Sequence, residues 1–230
     1  MIPIDFVWIV LLASYMLAFA ASIVFASLSM SSDKKANYSF LRNFPYEIPQ
    51  IEAKVSKFYK VFIFIFAGLC FAPILDIVPN IAIFGDMGIF AIVISCVYGL
   101  AGLSIVALHM FEAKFVKVHS IVVTCLLAFS LLANALTAVY SGVTYKVMSK
   151  FGEGRVVSIV LLAFSALLAL AIIVLAVNPK LKNWAKLDVS EENGEKKVSR
   201  PHVFILALTE WLAIAITFVG EIVFYLSLIK

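Results

Sequence analysis

Two carboxylates lie inside the last apolar run of this chain, "FILALTEWLAIAITFVGEIVFYLSLIK", at Glu210 and Glu221. A charged side chain in hydrocarbon is expensive, so such residues face a bundle interior or a wet cavity, and they mark candidate function. At about 100° and about 1.5 Å per residue, the two differ by about 20° around a helix and by about 16 Å along it. Thr217 falls on the same face. The stripe Glu210, Thr217, Glu221 could serve as stations of a cation, proton or amine-substrate path. It could equally hold helices together through hydrogen bonds. A separation of about 16 Å is too large for the carboxylates to share one proton or one ion.

A second stripe matches it. Ser130, Asn134, Thr137 and Ser141 fall within about 60° of one another on an upstream apolar run. Intramembrane polar groups of this kind form interhelical hydrogen bonds. The two runs are expected to turn these faces to a common interior, with Glu210, Thr217, Glu221, Asn134 and Thr137 as the path candidates.

Other reactive types are sparse. His109, Glu112 and His119 flank one short loop, and His202 opens the last run on the same side. Histidine and carboxylate suit metals, but the spacing matches no metal motif and the expected edge is solvated, so no metal or cofactor is assigned. Cys70, Cys96 and Cys125 sit in apolar runs without CxxC spacing and read as small packing residues. GxSxG, HExxH, P-loop and GxGxxG patterns are missing, so no catalytic residue is assigned. An enzyme acting on lipid through Glu210 or the histidine edge is kept as an alternative.

The elements that must position these residues are membrane spans. The chain is 63% hydrophobic and 14% charged, with a mean hydropathy of +1.07. Soluble domains carry about 45–50% apolar and about 25% charged residues. Six stretches are long enough to cross a bilayer, at about 6–30, 58–78, 84–110, 118–141, 156–177 and 203–229. With no water to satisfy the backbone, they must be helices. The expectation is an all-α integral membrane protein, one domain over 1–230, built as a bundle of about six transmembrane helices. The first run lacks a positive leader and is too long for a signal peptide. Segment 76–86 reads as a hairpin turning at Pro79 and Asn80, with a re-entrant segment as the alternative. Small residues at Ser14, Ala18, Ser22 and Ala26, and at Ser95, Gly99 and Gly102, permit close helix approach. The first of these stripes could also dock another subunit.

Fourteen of the 18 Lys and Arg lie in the first, third and fifth loops, counting Lys60 at the loop end of span two. The positive-inside rule therefore puts those loops in the cytoplasm and both termini on the opposite side. The net charge of +4 resides in loops and gives no support to nucleic-acid binding. The first loop, 31–57, mixes aromatic and basic residues. After Pro49, Ile51, Val55, Phe58 and Phe62 recur at helical spacing, which predicts an interfacial helix running into span two. Arg42, Phe44, Tyr46, Lys54 and Lys57 are its candidates for contact with a partner or lipid. Stretch 180–200 reads as a mobile cytoplasmic linker.

"GLSIVALHMFEAKFVKVHSIVVTCLLAFSLLANALTAVY" and "LTEWLAIAITFVGEIVFY" resemble spans three, four and six of the six-span, DRAM-like autophagy modulators. The shared features are a histidine opening span four, a Gly-Leu before it and a Glu-Trp in span six. The likeness covers roughly a quarter of the chain. That family's first-loop pattern is not found here, and its cytoplasmic N-terminus opposes the charge count. No functional residue is carried over. The functional expectation is a non-catalytic component of a transporter or larger membrane assembly, in contact with the bilayer and with a membrane protein partner or further copies of itself. A small cation- or proton-coupled transporter or channel using Glu210 and Glu221 is the alternative.

Overall fold

The computed structural model describes residues 53–81, 85–111, 115–148, 155–183, 188–192, 195–199, 201 and 203–228, together with 41, 43–47 and parts of 6–24. Every long element in it is a helix. Five segments are long and apolar enough to cross a membrane: Lys60–Ile77, Asp86–Met110, Val116–Val147, Val156–Leu181 and Ile205–Leu228. A shorter apolar helix covers Ile9–Ala18, inside the expected first span. Ala18 of its small-residue stripe is buried within the chain, while Ser22 and Ala26 lie outside the described residues.

We number the helices α1 (Ala53–Leu69), α2 (Ala72–Ile77), α3 (Asp86–Met110), α4 (Val116–Met148), α5 (Arg155–Ala176) and α6 (Ile205–Leu228). α1 is continuous from Ala53 through the first part of span two, and Ile51 of the expected interfacial helix lies outside the described residues. Span two itself is not continuous. Pro73 has no amide hydrogen, so the helix ladder cannot supply a donor to the Leu69 carbonyl. The chain turns at Cys70 and Phe71 and restarts as α2, with Pro73 in the first turn, where its missing N–H is harmless. Residues 78–80 then turn the chain, and α2 packs against α3. Span four is longer than its apolar stretch suggested, since α4 runs on to Met148.

α4 is the hub of the bundle and packs against α3, α5 and α6. On its other side α3 meets α1 and α2. Small residues make that contact possible. Gly102 brings a would-be Cβ to 3.2 Å from the Ala67 Cα, and the Phe71 ring occupies the space over Gly99. α5 is apolar all round. It touches α4 and α6 and leaves Val156, Val160, Leu167 and Val174 exposed, as suits a lipid-facing helix. The multi-pass membrane reading rests on these five helices.

Outside the bundle, the stretch expected to be a linker holds more structure. A 3₁₀ turn covers Pro179–Asn183, and strands β1 (Asp188–Glu192) and β2 (Glu195–Ser199) pair antiparallel, Glu191 opposite Lys196. The intervening sequence is Asn193-Gly194, the dipeptide that favours two-residue hairpin turns. That signal outweighs the polar composition that pointed to a linker.

Candidate functional site

The α4 and α6 stripes meet, forming a polar seam between helices. Ser130, Asn134, Thr137 and Ser141 are all buried on α4, and Glu210, Thr217 and Glu221 on α6. Helix polarity dictates much of their bonding. The Thr217 hydroxyl donates to the Ala213 carbonyl at 2.7 Å, so its one hydrogen is spent on its own helix. Ser130 must then be the donor in the bond that joins the two side chains. Thr137 donates likewise to Ala133, and the Asn134 amide to Ser130. Their oxygens are left to accept, and the Tyr98 hydroxyl of α3 lies 3.4 Å from Thr137 Oγ1 and 3.5 Å from Asn134 Oδ1.

Gly220 lets the helices come this close. A Cβ there would run into Asn134 Oδ1 and stand 2.7 Å from the Tyr98 hydroxyl.

Glu210 has a partner that helical periodicity on its own run cannot reveal. His119, in the first turn of α4, places Nε2 2.8 Å from Glu210 Oε1, and both side chains are buried. His119 was expected at a solvated edge with His109, and both are enclosed instead. Its Nδ1 lies 3.1 Å from the Phe111 carbonyl, which can only accept, so Nδ1 carries a hydrogen. The Nε2–Oε1 bond then holds one proton. The pair is either imidazole with carboxylic acid or imidazolium with carboxylate, and both states are net neutral. This resolves how a glutamate is tolerated there: the pair carries no net charge into the bundle.

The first loop roofs this pair. Phe44 and Tyr46, expected to face a partner or lipid, are buried in the protein's own core. Their rings stack at 5.4 Å, and each meets the His119 ring edge-on, at 5.6 and 5.9 Å. Phe204 closes the cluster, 5.3 Å from Phe44. The loop is pinned at several points. The Phe204 amide donates to the Leu41 carbonyl at 2.7 Å, and Trp211 Nε1 donates to the Asn43 carbonyl at 3.0 Å. Glu47 Oε2 accepts from the Phe44 amide at 2.8 Å and from the Asn43 side chain at 3.0 Å. Of the loop's basic candidates, Lys57 is exposed, Lys54 lies in α1, and Arg42 lies outside the described residues.

Glu221 is in a different position. Both carboxyl oxygens are buried and meet no hydrogen-bond partner among the described residues. The Cys70 thiol, at the α1–α2 break, is close enough to interact with the carboxyl but donates to the Phe66 carbonyl at 3.4 Å, and the Tyr98 and Tyr225 hydroxyls are electrostatic neighbours. Tyr225 stands one turn beyond Glu221 and donates to the Leu69 carbonyl at 2.9 Å. That is the carbonyl Pro73 leaves without a helical donor. The break in span two and the second glutamate of α6 therefore form one cluster.

The seam thus gathers Glu210, Thr217, Asn134 and Thr137 along one interface, and it adds His119 and Tyr98. Glu221 lies at the end that reaches the α1–α2 break. Among the described residues, no three His, Cys, Asp or Glu side chains come together as metal ligands. Glu112 and His202 lie outside those residues. Searches of protein-family models, curated proteins and solved structures returned no match for this chain.

Proposed function

We propose that this chain is a non-catalytic multi-pass membrane protein that serves as a component of a transporter or larger membrane assembly. The observation that carries this reading is how the interior polar groups are used. While Glu210 Oε2, Ser141 and Ser165 keep no partner among the described residues, Glu210 Oε1 is spent on His119, Ser130 on Thr217, and Asn134 and Thr137 on their own helix and Tyr98. Such groups fix the mutual register of α3, α4 and α6 and leave a rigid body with an apolar exterior, of which α5 is the largest part. The roof of Phe44 and Tyr46 over His119 also weighs against a headgroup-facing enzyme at that edge. The test is purification from native membranes at native expression in two mild detergents, with mass measurement. A stoichiometric membrane protein partner or a defined oligomer in both is the expected result. A lone monomer in both would overturn the proposal.

A second reading, proton- or cation-coupled transport, is favoured by one observation, the unpartnered Glu221 carboxyl. Glu210, engaged by His119, is less suited to the second station that reading gave it.

A further inference from the structure

We propose that Glu221, with the broken span α1–α2 beside it, forms an intramembrane site that binds and releases one proton. The inference rests on the second reading above for its purpose, but on separate observations for its existence. The first is geometric. Among the described residues Glu221 is the carboxyl with both oxygens buried and without a hydrogen bond of good geometry, whereas Glu210 and Asp76 each leave one oxygen so, and buried polar groups in proteins are mostly satisfied. The second is the helix break. Discontinuous helices at membrane depth are tolerated where they line a site, because the freed backbone must be satisfied by other groups. Here one face of α6 delivers both parts: Glu221 beside the break, and four residues on, Tyr225, whose hydroxyl takes the orphaned Leu69 carbonyl. Gly99 and Gly102 of α3 make room for Phe71 and Ala67 on the other side.

The groups facing Glu221 narrow the choice of ligand. From the break comes the Cys70 thiol, from α3 the Tyr98 hydroxyl, and from α6 itself the Tyr225 hydroxyl. The α4 wall offers neutral Asn134 and Thr137, and α5 offers neutral Ser165 as its buried polar group. The sequences of α3 and α6 contain no lysine or arginine. Among the described residues, no lysine or arginine of any helix acts on the Glu221 carboxyl. A metal cation would want about six oxygen ligands, more than the carboxyl and two hydroxyls supply. A proton needs only one carboxyl oxygen. The step is a simple balance: carboxylate plus one proton gives the carboxylic acid, and release reverses it.

The experiment uses the full chain in lipid nanodiscs and the apolar reagent dicyclohexylcarbodiimide. It adds to a protonated carboxyl: the acid proton goes to a reagent nitrogen and the carboxylate oxygen bonds the central carbon, after which the acyl group shifts to nitrogen. Peptide mass spectrometry locates the adduct. The expected result is modification of Glu221 that falls by roughly tenfold per pH unit above a midpoint, as for a single titrating acid. Glu210, held by His119, should react more slowly. E221Q, checked for folding by its thermal transition, should lose the adduct, and Y225F should keep it. Absence of the adduct in folded protein at every pH, with labelling restored on unfolding, would overturn the site. So would labelling that ignores pH, or labelling suppressed by sodium at constant pH, which would mean a metal cation. If the adduct behaves as expected but proteoliposomes show no proton flux, the site stands and the transport reading falls.

Discussion

His119 and Glu210 are 91 residues apart in sequence and 2.8 Å apart in space. Their chemistry predicts an uneven response to substitution. Glu210→Gln keeps one hydrogen in the bond, because the new amide N–H can donate to Nε2 while Nδ1 still serves the Phe111 carbonyl. It should cost about 1 kcal/mol or less. His119→Ala leaves a buried carboxylate without its counterpart and should cost about 3–5 kcal/mol. Adding Glu210→Gln to His119→Ala should recover part of that loss, since a neutral amide is cheaper to bury than an unpaired carboxylate. Reversible unfolding in mixed micelles would measure all three. Equal losses for the two single variants would contradict the shared-proton pair. Sequence periodicity identified the glutamate stripe and the Ser130–Ser141 stripe, because 3.6 residues per turn assign residues to faces within one helix. It is silent on which residue of another helix will meet a face. For that reason His119 was left at an edge, and Phe44 and Tyr46 were assigned outward when they in fact cover it.

A helix break and a tight crossing carry the next predictions, at the scale of elements. Removing the Tyr225 hydroxyl leaves the Leu69 carbonyl with neither a helical nor a side-chain donor. Tyr225→Phe should therefore lose about 1–3 kcal/mol, the cost of an unsatisfied buried acceptor. Pro73→Ala restores an amide hydrogen four residues after Leu69. In that background the same Tyr225→Phe change should be nearly neutral, and a double-mutant cycle would read the coupling. Additive losses would mean that the proline is not what orphans the carbonyl. At the crossing of α6 with α4, Gly220→Ala drives a methyl into Asn134 Oδ1 and against the Tyr98 hydroxyl. Overpacking of this kind costs about 1–3 kcal/mol, and crosslinking yield between cysteines placed on α4 and α6 should fall. Pro73 was visible in the sequence, yet span two was read straight through it, because an apolar run gives length and no account of backbone bonding. The hairpin at β1–β2 was missed for the converse reason. Its polar residues signal exposure, and the one pairing signal in the sequence is the dipeptide Asn193-Gly194.

Charge distribution sets the last prediction, at the scale of the whole molecule. Fourteen of the 18 basic residues fall on one set of loops, and the helices that separate those loops are apolar enough to span. Lysine and arginine in short loops resist translocation, whereas acidic residues contribute little, so the first, third and fifth loops are assigned to the cytoplasm. The bundle adds a constraint that holds for either orientation. The first loop and the start of α6 are bonded to each other through Leu41 with Phe204 and Asn43 with Trp211, so they share one side of the protein. That side is the one the count makes cytoplasmic for both. A reporter fused after Lys230 should then be active only outside the cytoplasm, and the Asn37-Tyr38-Ser39 sequon should stay unglycosylated. If the C-terminal reporter is cytoplasmic and Asn37 acquires a glycan, the whole orientation is inverted. The two markers must move together, because the first loop and the start of α6 share one side and α6 is long enough to carry the C-terminus to the other. Both markers on the cytoplasmic side would instead mean that α6 does not cross, or that the first loop and the start of α6 do not share a side.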